Sequence, residues 1–426
     1  MNAVTPNRGR RFGMPRRPGM GPGGRSRRID WLLNRFHGLF HRILNRVDAG
    51  LEVGGIEARL PDGTQRLLGG RKPGPVAVVD MPSWRAIVRL VTGGSAGWYV
   101  AWAAGDWSSP DPVPLFDLFM RNAVPLGETA RAGGVVRFIG RLAHRLRRND
   151  KSGSRRNIEF HYDLGNDFYG LWLDPGMTYS SAIFDSATQS LEDAQSAKLS
   201  AMLARTATAP GDTILEIGSG WGSFAEVAAR AGRKVHGITL SAEQKAAVDL
   251  RMAAGGLAHD VTVSLTDYRD VAGQFDAVVS IEMVEAVGQE YWPAYLAAIA
   301  AALKPGGRAA IQYILIDDTI FDSYARNVDF IQRYVFPGGM LLSESRFRTL
   351  ADLHGLEWQD RVAFGLDYAE TLRLWRVAFD DAVDAGRLPP EFDRHFVDLW
   401  RYYLMYCEGG FRGGGIDVAQ VTLVKR

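Results

Sequence analysis

From residue 211 onward the chain alternates short apolar runs with helical stretches, and this rhythm restricts the fold more than any other feature. Thr213–Ile217 reads as a strand and Ser223–Ala231 as a helix. Lys234–Thr239 is a strand, Ala242–Ala254 a helix and Val261–Leu265 a strand. Phe275–Ile281, Tyr291–Leu303 and Arg308–Leu315 continue as strand, helix and strand, and Ile416–Val424 ends the pattern as a last strand. Strands joined through helices pair in parallel, and a parallel sheet must be covered on both faces. The expectation is therefore an α/β fold with a mostly parallel sheet.

The first of these strands runs into Glu216-Ile217-Gly218-Ser219-Gly220-Trp221-Gly222, which opens a helix. Glycines there permit a tight turn and a close backbone approach to a ligand. The spacing is G-x-G-x-G, not the G-x-G-x-x-G of dinucleotide enzymes, and the second strand ends in Gly237-Ile238-Thr239 with no acid for a ribose. Both points disfavour a nicotinamide cofactor. An acid two residues before the first glycine resembles the first motif of class I S-adenosylmethionine-dependent methyltransferases. Glu216, Gly218 and Gly220 are thus candidate cofactor residues.

Charge divides the chain further. Its 426 residues carry 50 Lys and Arg against 48 Asp and Glu, for a net +2. Residues 1–28 hold eight Arg and no acid, residues 129–156 reach another +8, and the remainder stands at −14. Residues 1–28, rich in Gly, Pro and Arg, read as a disordered basic arm. Residues 29–128 read as a small α+β accessory domain whose own residues suggest no chemistry. Residues 129–156 read as a basic linker helix and 157–426 as the catalytic domain. In the linker, Val135, Phe138, Ile139, Leu142 and Leu146 fall on one helical stripe, with Arg137, Arg141, Arg145 and Arg148 on another. Such a helix can lie on an anionic lipid surface, or it can pack on its own domain with a solvated Arg face. An acidic body carrying two basic segments favours the lipid surface. The single cysteine, Cys407, excludes an intramolecular disulfide framework and a Cys-cluster metal site. No metal is expected, and no apolar run is long enough for a membrane span. The chain reads as cytoplasmic, peripheral on the inner membrane face.

His161-Tyr162-Asp163-Leu164-Gly165-Asn166-Asp167-Phe168-Tyr169, Met177-Thr178-Tyr179-Ser180-Ser181-Ala182-Ile183-Phe184, the glycine turn and Gly237-Ile238-Thr239-Leu240-Ser241-Ala242-Glu243-Gln244 occur in that order. Together they resemble the cyclopropane-fatty-acyl-phospholipid synthase family and its mycolic-acid relatives, over about residues 155–426. The resemblance implies a class I methyltransferase fold, Rossmann-like with a seven-stranded sheet. It implies S-adenosylmethionine as cofactor and the double bond of a phospholipid acyl chain as the methyl acceptor. By position it assigns Tyr179, Ser180, Thr239, Leu240, Gln244, Tyr268 and Arg269 to the cofactor. Tyr162, Phe168, Tyr169 and Phe184 are candidate aromatic faces for the acyl cation, since such charge is held best in a dry, π-lined site.

The resemblance also implies a bicarbonate ion as the base for ring closure, at positions matching Ser181, Glu285, Gln312, Ile314 and Tyr403. Two of these depart from the family, where Cys and His stand in place of Ser181 and Gln312. An amide cannot become cationic or relay a proton as imidazole can, so bicarbonate is in doubt. Two products therefore stay open, a cyclopropane and a methyl-branched chain. The second would call for a separate reductase or oxidase as partner. A homodimer is also open, and nucleic acid is not expected. A methyltransferase for soluble small molecules and a non-catalytic lipid-binding homologue are the readings from other classes.

Overall fold

The computed structural model describes residues 30–31, 33–127 and 164–426. The arm 1–28 and the linker helix with Arg137, Arg141, Arg145 and Arg148 lie outside the described residues, as does Tyr162. Residues 33–127 contain a three-stranded sheet of β1 (Val53–Arg59), β2 (Gln65–Gly69) and β3 (Lys72–Asp80) in the order β2-β1-β3. Helices His37–Gly50, Arg85–Ala103 and Val113–Arg121 accompany it.

The second sheet has seven strands: β4 (Thr213–Ile217), β5 (Lys234–Thr239), β6 (Val261–Leu265), β7 (Phe275–Ile281), β8 (Leu303–Ile316), β9 (Leu356–Ala363) and β10 (Ile416–Lys425). Their order is β6-β5-β4-β7-β8-β10-β9. β4 to β8 pair in parallel, and β10 runs antiparallel to both β8 and β9. The mostly parallel α/β sheet expected from the alternation is present. The helix expected over Tyr291–Leu303 is Trp292–Ala302, and β8 begins at Leu303 rather than Arg308. The early start is explained by Leu303, which is fully buried and pairs with Phe275 of β7.

Strand order reverses between β4 and β7: after β4 the chain builds outward through β5 and β6, then returns to place β7 on the other side. Crevices at such reversals, beyond the carboxyl ends of the strands, hold ligands in open α/β sheets. The turn Gly218–Gly222 and the segment Glu282–Glu285 both leave the sheet at this point.

The N-terminal elements are packed onto the catalytic part. The long C-terminal helix Arg394–Arg412 lies against Val113–Arg121, so closely that a Cβ on Gly409 would meet the Phe116 Cβ at 2.4 Å. Tyr402 makes ring contacts with Tyr99 and Phe116 at 5.0 and 5.2 Å. One hydrophobic cluster therefore runs from Phe40 through Trp98 to Trp400 and Val418.

Candidate active site

Two cavities meet at the strand reversal. The smaller, about 160 Å³, is lined by Ser180, Lys198, Glu216, Gly218, Gly220, Thr239, Leu240, Gln244 and Tyr268 among others. The larger, about 400 Å³, is lined largely by apolar side chains and includes Glu285, Ile314 and Tyr403. Tyr179, Glu282 and Ala286 line both.

The walls of the smaller cavity follow from local structure. Asp174 accepts hydrogen bonds from the N–H groups of Gly176 (2.8 Å) and Thr178 (2.9 Å), a carboxylate-closed turn that delivers Tyr179 and Ser180. Gln195 Nε2 donates to the Ser180 carbonyl at 2.8 Å, and Lys198 Nζ to Ser180 Oγ at 2.6 Å, both from helix Leu191–Thr206. Ser241 caps helix Ala242–Ala254 by accepting from the Gln244 N–H, and Thr239 Oγ1 donates to Gln244 Oε1 at 2.9 Å. Trp221 Nε1 donates to Asn166 Oδ1 at 2.6 Å, tying the glycine turn to the helical turn Asn166–Tyr169.

The cradle fits the expected cofactor. Gly220 has φ 51°, and open space lies where a Cβ would project. Glu216 Oε2 is buried without a hydrogen-bond partner among the described residues, in a side chain whose residue lines the cavity. Burial pushes the Glu216 carboxyl up to about 8, against the pull of Lys198. Burial likewise brings Lys198 down to about 8, opposed by the charges of Glu282, Asp174 and Glu216.

Arg269 departs from the cofactor assignment. It pairs with Asp267 at 2.6 Å and lies over the Tyr268 ring at 5.1 Å, so it acts on Tyr268 and lines neither cavity. The aromatic faces also differ from expectation. Phe168 and Tyr169 are fully buried and line neither cavity. They back the wall instead, Tyr169 5.4 Å from Tyr179 and Phe168 5.0 Å from Trp400. Phe184 is half-buried and also outside both cavities. Rings that fill a core gain most by being enclosed on every side; the large cavity is faced by other rings, Tyr179, Phe336, Tyr368 and Tyr403 among them.

The five positions matched to a bicarbonate site do come close together, but their donors are already engaged. The Ser181 N–H donates to Glu282 Oε1 at 2.8 Å, and Gln312 Nε2 donates to the same oxygen at 2.7 Å. Tyr368 donates its hydroxyl to Glu282 Oε2 at 2.7 Å. The Ile314 N–H donates to Glu285 Oε1, and Tyr403 shares a hydroxyl bond with Tyr179. Ser181 and Gln312 are fully buried behind Glu282. This arrangement does not fit a bound bicarbonate ion, because a side-chain carboxylate holds the Ser181 and Gln312 donors.

The orientation of Gln312 is fixed from behind. β8 and β10 place Gln420 opposite Gln312. Gln420 Nε2 donates to Gln312 Oε1 at 3.0 Å, and Arg205 Nε donates to Gln420 Oε1 at 3.0 Å. The amide can therefore present only its N–H side to Glu282. Burial raises the Glu282 carboxyl, against the hydrogen bonds of Tyr368, Ser181 and Gln312 and the charge of Lys198. Burial, then the charge of Glu282, pushes Glu285 up to about 8.

Three participants were not singled out from sequence: Glu282, Lys198 and Tyr368. Lys198 carried a signal, since Ala194, Lys198 and Met202 fall at steps of four on the buried stripe of one helix. Among the described residues no group of acids, histidines and cysteines is arranged to hold a metal, and no helix is long and apolar enough to cross a membrane.

Residues 149–421 match the mycolic acid cyclopropane synthetase family. The chain is 38% identical to tuberculostearic acid methyltransferase UfaA1 of Mycobacterium tuberculosis over 356 residues, covering 79% of this chain and 80% of that one. It is 37% identical to the cyclopropane-fatty-acyl-phospholipid synthase of Escherichia coli K12 over 266 residues, covering 62% and 66%. The solved structure of mycolic acid cyclopropane synthase CmaA1 complexed with SAH and CTAB superposes with a TM-score of 0.60 at 30% identity, covering 64% of this chain and 98% of that one.

Proposed function

The chain belongs to the mycolic acid cyclopropane synthetase family, S-adenosylmethionine-dependent methyltransferases that act on lipids, and on that footing we propose that it methylates the double bond of an unsaturated acyl chain in a membrane phospholipid. One observation carries this reading. A polar cavity built on the glycine turn meets a larger apolar cavity at Tyr179, Glu282 and Ala286. About 400 Å³ lies within the roughly 300–1,000 Å³ of ordinary ligand sites, and an apolar lining suits an alkyl chain better than a polar metabolite.

S-adenosylmethionine supplies an electrophilic methyl group when bound, and Ser180, Glu216, Thr239, Gln244 and Tyr268 are the residues that would hold it. The protein's own contribution is to exclude water and surround the acyl cation with aromatic faces and fixed charge. The N-terminal elements share in this, since Leu90, Trp98 and Phe116 line the large cavity.

We take the product to be a methyl-branched chain, formed by proton loss beside the methylated carbon, with a separate reductase to saturate it. The two departures from the family, Ser181 and Gln312, support this reading, because both are engaged on Glu282. The relationship to the Escherichia coli synthase keeps a cyclopropane as the second reading. Trp31 (62% exposed) and Phe36 (55% exposed) follow directly on the Arg-rich arm and support docking on an anionic surface.

The test is incubation with unsaturated phospholipid vesicles and labelled S-adenosylmethionine, followed by mass spectrometry of the acyl chains. A methyl-branched alkene is expected. A cyclopropane overturns the product assignment, and no label in the lipid overturns the whole reading.

A further inference from the structure

Glu282 stands at φ 49°, in the left-handed region that a side chain occupies only at a cost. Residues held in such conformations persist where their surroundings fix them, and they concentrate at functional sites. Here the surroundings are specific. Three donors from three distant segments, the Ser181 N–H, Gln312 Nε2 and Tyr368 hydroxyl, converge on one carboxylate at 2.7–2.8 Å. Among the described residues no arginine or lysine is hydrogen-bonded to it, although the charge of Lys198 acts on it. The part of Glu282 that stays accessible faces the two cavities whose boundary it forms.

We propose that Glu282 is the resident general base of the reaction, its carboxylate standing where relatives are expected to use a bicarbonate ion. The inference rests on the methyl-transfer reading above. Once an acyl carbon has gained a methyl group, its neighbour is cationic and the chain must lose a proton. The C–H bond adjacent to the cationic carbon breaks, its electron pair becomes the new carbon–carbon bond, and the proton passes to Glu282. No oxidant or reductant is consumed in that step.

The neighbouring groups support the assignment. Burial raises both carboxyls, but their hydrogen bonds differ: three donors face Glu282, whereas Glu285 receives the Ile314 N–H on one oxygen and its Oε2 has no hydrogen-bond partner among the described residues, so Glu282 is the better-held anion of the two. Tyr368 is held well above the usual phenol range by burial and the Glu282 charge, so it remains a donor and does not compete for the proton. The row Arg205, Gln420, Gln312 orients both amides: Gln420 gives its N–H side to Gln312, and Gln312 gives its own to Glu282.

Two variants of the full chain test this. Glu282→Gln keeps the shape and should lower labelled-methyl turnover by about 10²- to 10⁴-fold, as loss of a positioned base does. S-adenosylmethionine affinity, read by calorimetry, should stay within about 3-fold. Glu282→Gly relieves the backbone and removes the carboxylate. It should bind ¹³C-bicarbonate by NMR where the wild type does not, and bicarbonate or formate should restore its turnover at least about 10-fold. Wild-type turnover should not change in buffer stripped of bicarbonate. Full turnover by Glu282→Gln, dependence of the wild type on added bicarbonate, or equal bicarbonate binding by wild type and Glu282→Gly would each overturn the proposal. Wild-type protein that moves no label into lipid sinks the methyl-transfer reading instead, and the bicarbonate-binding comparison still decides whether Glu282 fills the anion site.

Discussion

Tyr179 and Tyr403 share a hydroxyl–hydroxyl hydrogen bond of 2.9 Å across 224 positions of chain. Tyr179 leads off the loop behind the polar cavity, and Tyr403 comes from the C-terminal helix beneath the apolar one. The bond therefore clamps the two cavities together at their common wall. Tyr403→Phe removes this hydrogen bond, at a cost of about 1 kcal/mol. We expect methyl transfer to lipid to fall about 10-fold, with S-adenosylmethionine affinity little changed. Equal loss of both in a calorimetric and kinetic comparison would contradict the clamp.

The glycine turn separates into two effects. A Cβ on Gly218 would meet the Met283 Cγ at 2.9 Å, while one on Gly220 would enter open space. Both residues have positive φ, so each alanine variant carries about 1–2 kcal/mol of backbone cost. Gly220→Ala should weaken cofactor binding at least about 10-fold, because the methyl takes space the cofactor needs. Gly218→Ala should lose more thermal stability than Gly220→Ala. A reversed order of melting temperatures would refute the assignment.

Lys198 is fully buried among Glu216, Asp174 and Glu282. Lys198→Met keeps the length of the side chain and removes the charge that these acids offset. Breaking a buried charge cluster typically costs about 3–5 kcal/mol, and a loss of this order should appear in denaturant unfolding. A variant as stable as the wild type would show that the acids are neutral in the folded protein.

Glu285 supplies a pH test. Its folded value of about 8 lies above the ordinary 4.5. Between those two values the folded state binds more protons than the unfolded state, so stability falls as pH rises from about 4.5 to about 8. Glu285→Gln removes that contribution. Its melting temperature should gain on the wild type between pH 5 and pH 8, and a constant difference across that range would disprove the shift.

The sheet was legible from the alternation because each strand from β4 to β7 is a short apolar run closed by polar or glycine residues; β8 was misjudged at its start, and the edge strand β9, with a mostly exposed face, was not read as a strand. The glycine turn was legible because its chemistry is local. Glu282 was harder to find. It sits in the same short segment as Glu285, but its importance comes from Ser181, Gln312 and Tyr368, and no spacing in the sequence shows that these converge on it. Phe168, Tyr169 and Phe184 misled for the complementary reason: an aromatic residue in a motif can back a wall as readily as face a cavity. The large cavity itself was invisible, since it draws on residues from Leu90 to Ile416.

The boundary formed by Tyr179, Glu282 and Ala286 is fixed in one wall of that cavity. A chain lying in the cavity can present only the few carbons that stand beside this boundary. Regiochemistry is then a matter of measured length: how far the chain reaches before it stops selects the bond that is modified. On the acyl-chain reading proposed above, such a protein would act as a ruler for acyl chains, and lengthening or blocking the far end of the cavity would move the mark.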